Sequence, residues 1–353
     1  MFVNRKFHLK SKYVFLVGTL LINLGILLVT IGGSWDITNH LLNKPETFVS
    51  LPHGVMYSGV ALSLIGILVS FTGWRKTENN QSFKISLKIS LIGISLLLGA
   101  GPIDFFWHSI FGLDGLLSPP HMTLIIGMIL TSTGGMIGLI RYNILRTNNN
   151  FFSILIIICG LLPIWLASSG MISSLSLPFS NTDFFNFNPE PFTAVIIATI
   201  GYPFLISFFL ITSYNLSQNR FGIISLLGGL FLIIYGSTAI LPNFVMAETI
   251  LFYSTNAIAL LVTDYVVSRS NYKHASYIGA GILGSIFYMF YYPYIMYTYN
   301  ELLLGRLVSP SSIYSIYFEL ILTVFFITII PAVISALAGC YFSKQIHSKM
   351  IQF

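Results

Sequence analysis

Apolar runs of 18 or more residues recur along the whole chain, and this feature restricts the fold more than any other. Each run is long enough to cross a hydrocarbon core of about 30 Å as a helix. Of the 353 residues, 55% are hydrophobic and only 8% are charged. Strands of a membrane barrel would alternate polar and apolar residues over short segments, and no such alternation occurs. The sequence therefore predicts an all-α, polytopic transmembrane helix bundle whose main partner is the lipid bilayer.

The hydropathy pattern predicts about ten spans, centred on residues 13 to 34, 53 to 73, 86 to 104, 121 to 140, 152 to 172, 192 to 213, 221 to 241, 247 to 267, 276 to 298 and 314 to 341. Fifteen of the 17 Lys and Arg residues fall on one side of this arrangement, and only Lys44 and Arg306 fall opposite. The positive-inside rule then predicts a multi-pass protein of the cell membrane with both termini in the cytoplasm. The first run lacks a small-residue cleavage site and is predicted to be a retained anchor.

The net charge of +6 comes from short cytoplasmic segments, so it reflects membrane orientation and gives no reason to expect nucleic acid as a partner. No polar linker interrupts the spans, which predicts one membrane domain with two parts, residues 1–145 and 146–353. Cys159 and Cys340 both lie in apolar spans. A disulfide or a thiolate metal site is therefore not expected.

The first 140 residues contain an internal repeat. Shifting the chain by the 68 positions from Asp36 to Asp104 also aligns His40 with His108 and His53 with His121. The same shift aligns further positions, which are Gly33 with Gly101, Glu46 with Asp114, Pro52 with Pro120 and Gly59 with Gly127. Because the chain has only seven His residues, we interpret the pattern as a tandem duplicated helix hairpin, made of spans 1 and 2 and then spans 3 and 4.

The spacing of the repeated residues predicts a metal site in each hairpin. Asp36 and His40 are four apart, so on a helix they share one face. His53 follows Pro52, a residue favoured in the first helical turn, so it should return across the hairpin to face the Asp/His pair. Asp104, His108 and His121 repeat this arrangement, and both sets fall at the extracytoplasmic ends of the spans. An ionisable group near hydrocarbon needs a compensating partner, which a divalent cation supplies.

A further acid lies between the two His positions of each hairpin, seven residues before the second His. Glu46 and Asp114 are candidates to orient an imidazole by accepting its second N–H, although a solvated loop acid is an equal alternative. Two imidazoles and one carboxylate fit copper, zinc or the facial triad of non-haem iron. From the ligand types alone, the choice among these three metals stays open.

The pattern D-x3-H-x12-H at Asp36, His40 and His53 resembles a membrane-embedded metal site of the copper membrane monooxygenases, the family that oxidises methane or ammonia. The same membrane subunit of that family has a second cluster on a later helix with Asn, His and His, and Asp104, His108 and His121 correspond to it with Asp in place of Asn. The resemblance covers about 90 residues. It implies copper near the outer membrane face, and a centre that activates oxygen on a small apolar substrate, with other membrane subunits as partners.

The leading functional hypothesis is therefore a membrane metal-binding protein with two Asp-His-His sites, most consistent with copper, that forms part of an oxidase or monooxygenase. The alternative is a non-catalytic protein that handles or transports copper. A transport path should place ligands at successive depths, whereas the remaining histidines are His8, His274 and His347, all in basic segments. This distribution favours a fixed site.

Overall fold

The structure is a computed structural model, and it describes residues 2–41, 47–76, 81–112, 114–146, 151–177, 184–241, 244–270, 272–291 and 313–352. Within these ranges, some helical residues, including His40, are described by their backbone only. The helices are α1 (Phe2–Leu41), α2 (Leu51–Arg75), α3 (Gln81–Phe111), α4 (Pro119–Arg146), α5 (Phe151–Ser176), α6 (Pro191–Leu216), α7 (Ile223–Ile240), a 3₁₀ helix (Phe244–Thr249), α8 (Ile250–Arg269), α9 (Ala275–Ser285), α10 (Phe287–Phe290) and α11 (Ile313–Gln352).

The described residues contain no β-strand, so the all-helical prediction is confirmed. Nine helices within this part of the chain are long and apolar enough to cross a membrane, which are α1 to α8 and α11. The predicted ninth span, residues 276–298, differs. It is helical over Ala275–Ser285 and Phe287–Phe290, with a turn between, and its last residues lie outside the description. Eleven residues of helix cover only about 17 Å, which is too short for a full span.

The chain divides into two compact units. The first contains residues 1–110 and 119–168, and the second contains residues 111–118 and 169–352. The predicted division after residue 145 stays a prediction.

In the first unit, α1 packs along α2 and α3 packs along α4 through glycines that allow the backbones to approach closely. A Cβ atom added to Gly59 would lie 2.5 Å from the Gly25 carbonyl oxygen, and one added to Gly127 would lie 3.0 Å from that of Gly93. Real Cβ atoms almost never come nearer than 3.0 Å. Small residues at such crossings are typical of membrane helix pairs. The two crossings involve positions that are offset by the same 68 residues as the sequence repeat.

Apolar side chains join the two hairpins of this unit. Phe15 on α1 stacks on Phe83 on α3 with ring centroids 4.1 Å apart. The same buried cluster continues through Ile22, Ile67 and Ile94. Because α1 and α3 pack side by side, the ends of both hairpins that carry the Asp and His residues fall in the same unit.

In the second unit, hydrogen bonds from small polar side chains join neighbouring helices. Ser335 on α11 donates to the Ile200 carbonyl on α6 at 2.6 Å. The Asp264 carboxylate on α8 accepts from the backbone N–H of Ser225 at 2.9 Å, at the start of α7. Such bonds satisfy polar groups where a bilayer offers no water.

Candidate metal centre

The ends of α3 and α4 present the three residues of the second predicted triad. Asp104 and His108 lie one turn apart near the end of α3. His121 lies in the first turn of α4, which begins with Pro119 and Pro120. Proline suits this position because its φ angle is already helical and its missing N–H is not needed there. The sequence thus starts α4 at a point that leaves His121 directed back towards α3.

The three side chains converge on one point. The Nε2 atoms of His108 and His121 are 3.1 Å apart. Asp104 Oδ1 is 3.6 Å from His108 Nε2 and 3.3 Å from His121 Nε2. A point equidistant from these atoms lies roughly 2 Å from each, which is the usual length of a bond from a metal ion to imidazole nitrogen or carboxylate oxygen. The residues present therefore fit a bound metal ion.

Burial at this triad is partial, which suits a metal site with open coordination positions. The side chains of Asp104, His108 and His121 keep between 20% and 23% of their surface exposed. Asp104 Oδ1 is itself screened from solvent and makes no hydrogen bond within the described residues. A screened carboxylate oxygen that faces two imidazoles is costly without a cation. Among the described residues, these three are the group of His, Cys, Asp and Glu that could hold an ion.

The first triad is described for two of its three side chains. His53 Nε2 on α2 lies 3.1 Å from Asp36 Oδ1 on α1. His53 Nδ1 lies 3.0 Å from the Thr47 carbonyl oxygen, and because a carbonyl only accepts, Nδ1 carries the proton. This tautomer leaves the Nε2 lone pair directed at Asp36, as metal-binding histidines require. His40 lies on α1 one turn after Asp36, but its side chain is outside the described residues.

The two acids predicted to orient the imidazoles have different outcomes. Glu46 lies outside the described residues. Asp114 is buried in the connection between α3 and α4, where its backbone carbonyl accepts a hydrogen bond from the Phe187 N–H at 2.6 Å. An orienting role for either carboxylate stays a prediction. The acceptor that the structure gives to His53 is instead the Thr47 carbonyl. A backbone acceptor leaves no signal in a sequence pattern.

Aromatic residues join the ends of the two hairpins, and the sequence motif did not include them. Phe48 packs on Phe105 with ring centroids 4.5 Å apart. Tyr57 donates to the Phe48 carbonyl at 3.2 Å, and its phenol lies close enough to Asp36 and Asp104 for both charges to act on it. Tyr57 follows His53 by one helical turn, so that spacing is the signal that could have identified it.

The fold and the site together define a multi-pass helical membrane protein with a candidate metal-binding triad. No protein-family model, curated protein or solved structure matches the chain. What the structure supports of the resemblance to the copper membrane monooxygenases is the local cluster of Asp104, His108 and His121.

Proposed function

We propose that this chain is an integral membrane metalloprotein in which Asp104, His108 and His121 bind one metal ion, with copper as the leading candidate. The observation that carries the proposal is the mutual approach of Asp104 Oδ1, His108 Nε2 and His121 Nε2 to between 3.1 and 3.6 Å. Copper is preferred over iron and zinc because of the resemblance and because the site is expected at the oxidising, extracytoplasmic side of the cell membrane.

Asp36, His40 and His53 are proposed to bind a second ion. The pairing of Asp36 with His53, and the hydrogen bond that holds the His53 Nδ1 proton, support this second site. The offset of 68 residues that relates the two ligand sets also relates the glycine crossings beneath them. We therefore propose that the two hairpins are copies of one ancestral metal-binding hairpin.

We propose that the protein serves as a component of a membrane oxidase or monooxygenase. A bound copper ion would supply a redox centre with positions open to oxygen or substrate. The protein side chains would hold that centre at the end of a helix pair, keep most of its surroundings dry and fix the imidazole tautomers. Copper handling without catalysis is the alternative, and the lack of further His residues at successive depths of the spans favours the fixed site.

Metal analysis of the purified protein tests the proposal. The native protein, loaded separately with copper, zinc and iron(II) and then dialysed, should retain copper best. His108→Ala and His121→Ala should each lose about one ion per chain, because a two-residue remnant binds far more weakly. His274→Ala is the matched control, since it removes a histidine outside both triads, and it should retain the native content.

Retention of none of the three metals by the native protein would overturn the proposed centre. Equal metal content in the native protein and both triad variants would overturn the ligand assignment. Where metal is retained, oxygen consumption with a chemical reductant divides the two functions. An oxidase component should consume oxygen in a His108-dependent way, whereas a copper carrier should not.

A further inference from the structure

A groove of about 290 Å³ runs between α3 and α4 beside the candidate metal centre. Its wall includes the residue directly before each ligand of the second triad, namely Ile103, Trp107 and Pro120. On a helix, consecutive residues point about 100° apart, so these positions flank Asp104, His108 and His121. One end of the groove therefore borders the triad.

The other end of the groove lies deeper along α3, at Ser95. The twelve residues from Ser95 to Trp107 correspond to a helix rise of about 18 Å. Its floor is formed by small residues, including Gly99 and Ala100. A Cβ atom added to Gly99 would meet no other atom within 4 Å, so the space above Gly99 is open.

The groove wall offers almost no polar group to a ligand. Its two hydroxyl-bearing residues have already donated their protons within their own helices. Ser95 donates to the Leu91 carbonyl at 2.8 Å, and Thr123 donates to the Pro119 carbonyl at 2.7 Å. A ligand with hydrogen-bonding groups would leave those groups unpaired here, and that is costly. The wall therefore selects an apolar ligand.

The groove opens on the flank of α3 that faces outward. Ile103 keeps 57% of its surface exposed, and Ser95 and Gly99 are exposed as well. In a chain of this kind such a face meets hydrocarbon, so the groove can fill from the bilayer. Its volume is at the lower end of the range for ligand pockets, about 300–1,000 Å³, which restricts it to a ligand smaller than a typical drug.

We propose that this groove binds a small apolar molecule taken up from the hydrocarbon phase and holds it against the triad of Asp104, His108 and His121. As a substrate site, the proposal rests on the proposed metal centre; as a binding site, the groove stands on its own wall chemistry.

Photolabelling with a short-chain alkyl diazirine, in phosphatidylcholine vesicles, tests the groove. Mass spectrometry of the native protein should show several-fold more label at Ile103 and Trp107 than at Leu98 and Phe106, which are exposed on the same helix outside the groove. An excess of cyclohexane should compete this label away. Uniform labelling of the four positions, or enrichment that cyclohexane does not reduce because an acyl chain of the lipid is the occupant, would overturn the proposal.

Two variants complete the test. Gly99→Leu places a side chain in the open groove and should abolish the enrichment. Gly101→Leu is the matched control, because a Cβ there also meets nothing within 4 Å and Gly101 lies outside the groove wall; it should retain the enrichment. Enrichment that survives Gly99→Leu would contradict the groove.

Metal content is measured in the same preparations, so that the two proposals can fail separately. Loss of label with metal retained in Gly99→Leu supports a groove distinct from the ligands. Enriched, competable label in native protein that retains no metal would overturn the proposed centre and support the groove as a binding site.

Discussion

His108 Nε2 and His121 Nε2 lie 3.1 Å apart, although the two residues belong to different helices. Two imidazole nitrogens at this distance must share either a proton or an ion, because two lone pairs would repel each other. The Asp104 carboxylate oxygen on the third side adds a negative charge to this point. A cation satisfies all three groups at once, and the resulting set has room for further ligands.

The first triad is expected to hold its own ion. In the native protein loaded with copper, we expect about two ions per chain, and either Asp36→Ala or His53→Ala should lower the content to about one. Thr38→Ala on the same turn of α1 is the control, because that hydroxyl donates to the Ser34 carbonyl and is not part of the proposed ligand set. Inductively coupled plasma mass spectrometry gives the count, and a content unaffected by both ligand variants would rule out the second ion.

The glycine crossing of α3 and α4 should control the stability of the second hairpin. Gly93→Leu forces a side chain into the backbone of α4 near Gly127 and Thr131, and overpacking of this kind costs about 1–3 kcal/mol. We expect a lower midpoint of thermal unfolding in detergent and weaker metal binding. Gly101→Leu adds the same side chain to open space on the same helix. Equal midpoints for the two variants would show that the crossing is not under packing constraint.

Asp264 should stabilise the junction of α7 and α8. Its carboxylate accepts from the backbone N–H groups of Gly222 at 3.1 Å and Ser225 at 2.9 Å. Asp264→Ala removes the acceptor of both groups, with an expected loss of about 1–3 kcal/mol in the free energy of unfolding. Asp264→Asn keeps one oxygen and should lose less. Chemical denaturation in detergent measures both, and the idea fails if the alanine variant is as stable as the native protein.

Glu190 should make the start of α6 sensitive to acid. Hydrogen bonds from the backbone N–H groups of Thr193 and Phe192 lower the pKa of this exposed carboxyl below its ordinary value of 4.5. A lowered pKa in the folded state means that the stabilisation is present above pH 4.5 and is lost as the pH falls through the lowered pKa.

Glu190→Gln tests this pH dependence, because it removes the charge and keeps an oxygen acceptor. The native protein should exceed the variant in thermal midpoint at neutral pH, and the difference should shrink towards about pH 3 as the native carboxyl takes up its proton. A difference that stays constant from neutral to acid pH would contradict the role of the charge.

Much of this arrangement follows from short-range rules that a sequence exposes. Hydropathy predicted the spans, Pro52 and Pro120 marked the helix starts, and a spacing of four put Asp104 and His108 on one face. The approach of His121 to His108 depends on where α3 crosses α4, at Gly93 and Gly127, and this is a tertiary property. The Thr47 carbonyl and the groove beside Trp107 likewise depend on backbone positions. The ninth span was predicted as one helix, whereas the chain turns at Ile286.

The most direct test of the proposed centre is pulsed electron paramagnetic resonance on the copper(II)-loaded protein. In a His40→Ala, His53→Ala background, which isolates the second triad, the spectrum should show couplings from the remote nitrogens of two imidazoles. Adding His108→Ala should reduce these to one or abolish copper binding. A copper signal with no imidazole coupling, or couplings unchanged by loss of both His108 and His121, would contradict the assignment of this triad as a metal site.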